Sequence, residues 1–268
     1  MSGEGLFPRE RSEITPGAVH VPGWLPAEQQ RKLADACRSW ARGPVPIRHT
    51  VLPGGGVMSV QTVCVGWHWQ PYRYSRTADD VNGARVAEFP HWLVELGRAA
   101  ITGAYGDKGV GGDGGTRGTG ETGAAVDVAG AAGDTAGTAG GVPGAAGDTA
   151  GAAGDETDRL YTPDTALINF YDGAARMGMH QDREERSGAP VVSLSIGDTC
   201  VFRFGNTKTR GRPYTDVELA SGDLFVFGGP ARFAYHGVQK VYPGTADPAS
   251  GMSSGRLNIT LRETGLPG

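Results

Sequence analysis

Arg256-Leu257-Asn258-Ile259-Thr260-Leu261-Arg262 alternates polar and apolar side chains without a break. A period of two is the mark of a strand, with Leu257, Ile259 and Leu261 on one face and Arg256, Asn258, Thr260 and Arg262 on the other. Upstream, ALINFY (166–171), VVSLSI (191–196), CVFRFG (200–205), DLFVFG (223–228) and RFAYHGV (232–238) read the same way, with Gly, Asp and Pro between them. Short strands at near-regular spacing predict an all-β sandwich or barrel beyond residue 160. The preceding half has helical character. Pro26 opens a run to Arg42 with Leu33, Cys37 and Trp40 on one side, and a second helix is expected from Pro90 to about Ala104. Between them a glycine turn (Gly54, Gly55, Gly56) leads into a strand-like run, Val57 to Val65. The fold class expected is α+β with a β core.

Composition divides the chain unevenly. Residues 106–154 hold 18 of the 45 glycines, no aromatic residue, six acids and two bases. AAGDTAG occurs at 131–137 and again at 145–151, but a seven-residue repeat of Gly and Ala has nothing large enough to form a coiled-coil seam. Such sequence cannot bury enough apolar area to offset its ordering entropy, so 106–157 reads as a disordered surface insertion. The remaining 219 residues contain all 21 aromatics, enough for one real core. Subtracting the acids and bases of 106–154 from the chain totals of 29 and 25 leaves 23 of each, which excludes a strongly basic nucleic-acid binder while allowing a local basic groove. Three separated cysteines without a C-x-x-C argue against a disulfide scaffold and for a reducing compartment. The N-terminus lacks the apolar stretch of a signal peptide, and no run approaches a membrane span. A cytoplasmic protein with no membrane partner is expected.

Two of the six histidines stand in suggestive places. His180 follows the strand ALINFY and precedes Asp182 by two residues, so in extended chain both side chains point the same way. His236 closes RFAYHGV. Two imidazoles and one carboxylate form the facial arrangement that suits non-heme Fe(II), with three positions left open. An isolated H-x-D pair is more often a solvated loop than a metal site. The polar face of 256–262 has two explanations also: a wet sheet face, or a pocket in which Arg256 and Arg262 meet a dianion. Asn169 and Tyr171 alternate on ALINFY in the same manner. Spacing alone leaves both explanations standing.

The order N-x-Y (169–171), H-x-D (180–182), His236 and R-x-N-x-T-x-R (256–262) resembles the AlkB family of Fe(II)- and 2-oxoglutarate-dependent dioxygenases. LINFYDGAARMGMHQDREE, APVVSLSIGD, FRFG, SGDLFVFGG and YHGV are similar to the bacterial core of that family. PGGGVMSVQTVCVGW and YRYS resemble its nucleotide-recognition lid. The resemblance spans about 45–105 and 158–264. It implies a double-stranded β-helix (jelly-roll) core at 158–268, behind an N-terminal extension, supporting helices and lid at 1–105.

It also implies roles. His180, Asp182 and His236 would hold Fe(II), and Asn169, Tyr171, Arg256, Asn258 and Arg262 would hold 2-oxoglutarate. Trp67 would stack on the damaged base, Tyr72 and Tyr74 would touch the nucleotide backbone, Glu184 would read the exocyclic amine, and Arg210 would contact substrate. The implied reaction is that of a DNA oxidative demethylase. It converts 2-oxoglutarate and O2 to succinate and CO2 and releases the methyl of 1-methyladenine or 3-methylcytosine as formaldehyde. Alkylated DNA is the implied partner, RNA a second one, and the enzyme would act as a monomer without an obligate protein partner. The chain departs from the enterobacterial pattern in places. Glu184 stands where Asp is found and Phe227 where Trp is found. The interval from Trp67 to Tyr72 is two residues shorter, which makes Trp69 the alternative stacking residue, and the arginine contact aligns with Thr209 or Arg210. Arg73, Arg76, Arg183, Arg186, Lys208 and Arg212 are further phosphate candidates. Two rival functions remain at this stage: a dioxygenase of small metabolites, and a catalytically inactive nucleic-acid-binding module.

Overall fold

The computed structural model describes residues 9–106 and 160–267. The insertion expected at 106–157 lies outside the described residues, apart from Gly106. Before it come β1 (Ser12–Thr15), β2 (Ala18–Val21), α1 (Ala27–Ala41), β3 (Arg48–Val51), β4 (Val57–Val65), β5 (His68–Gln70), β6 (Arg73–Ser75) and α2 (His91–Tyr105). After it come β7 (Thr165–Tyr171), β8 (Met177–His180), β9 (Val191–Gly197), β10 (Cys200–Phe204) and β11 (Thr215–Leu219). They are followed by β12 (Leu224–Phe227), β13 (His236–Val241) and β14 (Arg256–Arg262). Both helices start directly behind a proline. Pro26 and Pro90 sit at the N-cap in extended conformation, where the absent N–H removes no helical bond. Neither described helix is long and apolar enough to cross a membrane.

The strands form a double-stranded β-helix of two facing antiparallel sheets. The larger has the order β1-β2-β12-β9-β14-β7-β4-β3, the smaller β11-β10-β13-β8, and β5-β6 stand apart as a hairpin. The large sheet takes four strands from each side of the insertion. Its two faces follow the alternation in sequence. Val192, Leu194, Ile196, Leu257, Ile259 and Leu261 join Leu33, Leu93 and Leu96 of the helices in the main core. Arg256, Asn258, Thr260 and Arg262 face the opposite way, toward the small sheet. There Phe202, Phe204, Phe225 and Phe227 build a second apolar cluster.

Several elements differ from expectation. The strand expected at 232–238 begins only at His236. A short 3-10 turn, Gly229–Ala231, precedes it, and Arg232 turns inward to donate to the carbonyls of Ala189 and Asp182. That buried anchoring holds 232–235 out of the sheet. The sequence does not mark β1, β2, β3, β5, β6, β8 and β11 as strands: none exceeds five residues, too few for a period of two to stand out even where, as in Thr215–Leu219, it is present. The N-terminal strands are fastened by Asp223. It is wholly buried and accepts from Arg9 Nη1 (2.6 Å) and Nη2 (2.8 Å), from His20 Nε2 (2.9 Å), and from the amides of Gly23 and Ala220. Burial alone would raise this carboxyl's pKa, but the bonds from His20, Arg9 and the amides hold it below its ordinary value of 3.8.

Removing the carboxylate strands these donors, so Asp223→Ala should cost about 3 kcal/mol in urea denaturation at pH 7. Because the folded pKa is depressed, the contribution is complete above pH 3.8 and disappears as pH falls through the lowered folded value. The variant should therefore show a flatter acid limb, and a wild-type-like limb would refute the assignment.

Candidate active site

A cavity of about 680 Å3 opens between the two sheets. His180 ends β8 and His236 begins β13, and the two are direct register partners. Gly237 makes that pairing close, because a Cβ there would stand 2.5 Å from the Met177 carbonyl oxygen. Asp182 lies two residues past His180, at the cavity floor. Its carboxylate oxygens are 3.6 Å from His180 Nε2 and 3.5 Å from His236 Nε2. Each imidazole donates from Nδ1 to the carbonyl two residues earlier, His180 to Gly178 O and His236 to Ala234 O, both at 2.9 Å. Those bonds put the proton on Nδ1 and leave the Nε2 lone pairs facing Asp182.

Protonation states complete the ligand set. Burial, together with the neighbouring His236, pushes His180 down to about 4, so it is neutral at pH 7. Burial would raise Asp182, but Arg262 and the imidazoles hold its carboxyl well below the usual range. Asp182 Oδ2 is 2.9 Å from Arg262 Nη2, yet it is buried without an aligned hydrogen bond. An orphaned carboxylate lone pair facing two imidazole nitrogens fits a divalent cation, which His180, Asp182 and His236 would hold. Among the described residues this is the one cluster with that property.

The arginines of β14 differ in their charge balance. Arg262 is shared: besides Asp182 it donates from Nη1 to Glu185 Oε1 at 2.9 Å. Glu185 also accepts from Arg232 Nη2 at 3.1 Å and from the Tyr74 hydroxyl at 2.6 Å. Arg256 is buried and donates from Nη2 to Ser195 Oγ, while Nε and Nη1 have no partner. Among the described residues no carboxylate lies within ion-pair distance of it. A buried guanidinium without a counter-charge is costly, and an incoming carboxylate would relieve that cost. Around it Asn258 donates to Ser193 Oγ, Asn169 accepts from Thr62 Oγ1, and the Tyr171 hydroxyl reaches Met177 Sδ at 3.8 Å. All three face the cavity.

The mouth is only partly as expected. Tyr72, Glu184 and Arg210 line it; Thr209 does not. Tyr72 is 78% exposed and has φ +73°, the left-handed region a bulky residue seldom adopts. Pro71 and Tyr72 form the two-residue turn between β5 and β6, and proline followed by positive φ matches a type II turn. Burial raises the Glu184 carboxyl.

Trp67 is not brought to the cavity. Its indole N–H donates to Asp164 Oδ2 at 3.0 Å and Arg76 covers its ring at 3.7 Å, so both its polar and aromatic surfaces are satisfied inside the protein. Trp69 lines the cavity instead. Tyr74 is likewise turned inward onto Glu185 and Arg262 and does not line the cavity. Arg76 is occupied with Trp67 and the Gly66 carbonyl. Glu185 and Arg232 went unremarked in the sequence. The adjacent acids of DREE (182–185) were the available signal for Glu185, whereas nothing in sequence marks Arg232 as buried.

Glu185→Gln should strand two buried guanidinium groups and lower stability by about 3 kcal/mol, with Tyr74→Phe costing about 1.5 kcal/mol. Chemical denaturation of both variants checks the order; equal small losses would mean that the network is solvated.

The profile of the 2OG-Fe(II) oxygenase superfamily matches residues 17–262. The chain is 48% identical over 101 residues to an alpha-ketoglutarate-dependent dioxygenase AlkB homolog of Caulobacter vibrioides, covering 37% of this chain and 44% of that protein. It is 38% identical over 110 residues to alpha-ketoglutarate-dependent dioxygenase AlkB of Escherichia coli, covering 39% and 47%. The DNA N(6)-methyladenine demethylase ALKBH1D of Arabidopsis thaliana is 27% identical over 261 residues, 93% of this chain and 50% of that one. The chain thus spans about half the length of the curated relatives it matches. The solved structure of OsALKBH1 superposes with a TM-score of 0.69 at 26% identity, covering 94% of this chain and all of the other. The cofactor set of the matched family is Fe(II), 2-oxoglutarate and O2. The His-Asp-His cluster, the double-stranded β-helix and these likenesses agree: the chain belongs to the 2OG-Fe(II) oxygenase superfamily, as an AlkB-type member.

Proposed function

We propose that this protein oxidatively removes alkyl groups from N-alkylated bases such as 1-methyladenine and 3-methylcytosine in DNA, with RNA as a second acceptor. The reaction would be coupled to conversion of 2-oxoglutarate to succinate and CO2, with release of formaldehyde. One observation carries the reading. A single cavity has His180, Asp182 and His236 inside it, the uncompensated Arg256 guanidinium at its wall, and Trp69, Tyr72, Arg183 and Arg210 around it. Each of those features has a separate bland explanation; their convergence on one space favours an enzyme that takes a dianion and a flat cationic base together.

In this reading His180, Asp182 and His236 hold Fe(II). Iron with 2-oxoglutarate and O2 supplies the oxidising chemistry that hydroxylates the N-alkyl carbon. Arg256 receives the distal carboxylate of 2-oxoglutarate, with Asn169, Tyr171, Asn258 and Arg262 bordering the co-substrate. Arg262 also keeps Asp182 ionised and oriented. The target base must leave its stack, at a cost of a few kcal/mol that is smaller when damage has already broken the pair. Trp69 then offers a π-face to the cationic ring and Glu184 accepts from the exocyclic amine. Arg183 and Arg210 meet flanking phosphates. Residues before 106 would supply the supporting helices and lid, and residues from 158 the core. The enzyme would work as a monomer in the reducing cytoplasm, in keeping with three buried free cysteines.

Protein reconstituted anaerobically with Fe(II) and then given O2 and 2-oxoglutarate should form succinate and formaldehyde in step. A 1-methyladenine or 3-methylcytosine oligonucleotide should stimulate both products, and His180→Ala should abolish them. Succinate that no alkylated oligonucleotide stimulates would move the substrate to a small metabolite, and no succinate at all would sink the enzyme. Arg256→Met should raise the KM for 2-oxoglutarate about 30-fold or more. Trp69→Ala should raise the oligonucleotide KM about tenfold, whereas Trp67→Ala should act chiefly on Tm. The reverse pattern for the two tryptophans would return the stacking role to Trp67.

A further inference from the structure

Trp69 lies on a strand that, among the described residues, has one neighbour. There β5 pairs with β6 alone, so its second edge must satisfy its backbone groups by other means. Trp69 is paired across to Tyr74. Its outward N–H donates to Cys64 Sγ at 3.5 Å, and its outward carbonyl accepts from Arg48 Nη2 at 3.1 Å. Arg48 Nη1 donates at 2.9 Å to the carbonyl of Thr62, its register partner on β4. Thr62 in turn holds Asn169 through its hydroxyl. One guanidinium that does not itself line the cavity therefore fastens two residues that do.

The fork is itself held in place. His68 is wholly buried, and its Nε2 is 2.6 Å from Asp80 Oδ1 and 3.2 Å from Arg48 Nη2. The shorter contact makes Nε2–H the donor to Asp80, so the Arg48 hydrogens go to the Trp69 carbonyl. Asp80 Oδ2 stands 3.9 Å from Arg48 Nη2 and supplies the counter-charge for a side chain that is only 13% exposed. Few residue types can do this. The two carbonyls belong to different elements and are bonded by different nitrogens of one rigid plane, which the single ammonium of lysine cannot reproduce.

We propose that Arg48 is a positioning residue for the aromatic wall of the cavity. By joining the carbonyls of Thr62 and Trp69 it fixes the indole of Trp69 at the substrate position, and His68 and Asp80 hold the guanidinium in register. The inference rests on the dealkylase reading only for the identity of what Trp69 touches.

The test is Arg48→Lys in the full chain, with Trp69→Phe and the double variant. The five tryptophans each give an indole N–H resonance, and Trp69→Phe identifies that of Trp69. In Arg48→Lys the Trp69 resonance should shift or broaden while those of Trp24, Trp40 and Trp92 stay in place. With an oligodeoxynucleotide bearing one 1-methyladenine, KM should rise about tenfold with kcat held within about twofold. Most of that rise should vanish in the Trp69→Phe background. An unmoved Trp69 resonance, or additive effects in the cycle, overturns the assignment. Wild-type protein that never turns over the oligonucleotide would sink the dealkylase reading instead, leaving the resonance to decide on Arg48. Should Arg48→Lys fail to fold, Asp80→Asn carries the same test and should displace the same resonance by less.

Discussion

The placement of Arg262 between Asp182 and Glu185 is the constraint on which the site depends. Three buried charges within 2.9 Å contacts would be ruinous in isolation, and Arg232 and the Tyr74 hydroxyl complete the balance. The network joins the last strand, the loop after β8, the turn before β13 and the β5–β6 hairpin at one point. Asp182 is thereby kept ionised and aimed at the two imidazoles before any ion arrives. The same balance is withheld from Arg256, one turn of the alternation away from Asn258. One face of one strand thus carries an arginine paired with two carboxylates and another with no carboxylate beside it among the described residues.

This arrangement divides the labour of the large sheet. Its outer face buries Leu257, Ile259, Leu261 and their neighbours against the two helices and carries most of the hydrophobic stabilisation. Its inner face gives that up over much of its area to polar side chains. A phenylalanine cluster shared by the two sheets compensates in part, with Phe202 and Phe204 from β10 and Phe225 and Phe227 from β12; Phe202 and Phe227 also pack on His236 at ring separations of 5.8 and 4.9 Å. The rings that stabilise the second layer thus also fix the orientation of a metal-ligating imidazole.

The β5–β6 hairpin shows how much a short element can be held by side chains. With three residues in each strand, β5 and β6 could not stand in water by themselves. Arg48, Cys64, Asp80 and Glu185 secure them from four other elements, so that Tyr72 can be displayed in a left-handed conformation and largely exposed. Strain of that kind persists only where the surroundings over-determine it, and it is concentrated here at the cavity mouth.

Alternation on 256–262 and 166–171 was enough to assign faces correctly, because a strand's period of two is a local property of the backbone. The proline-led helices were legible for a similar reason: the absent N–H acts at the position where it occurs. H-x-D with a later His, and the R-x-N-x-T-x-R run, carried the family resemblance. What sequence could not give was the direction of side chains whose partners lie far along the chain. Trp67 and Trp69 are two residues apart and chemically alike, and only Asp164 and Arg76 draw the first away from the cavity. Tyr74 reads as a lid tyrosine until Glu185, more than a hundred residues on, claims its hydroxyl. Arg232 looks like a strand residue until the carbonyls of Ala189 and Asp182 turn it inward. Local periodicity is written in adjacent residues, whereas the pairing of buried charges and donors depends on which distant groups the fold brings within 3 Å.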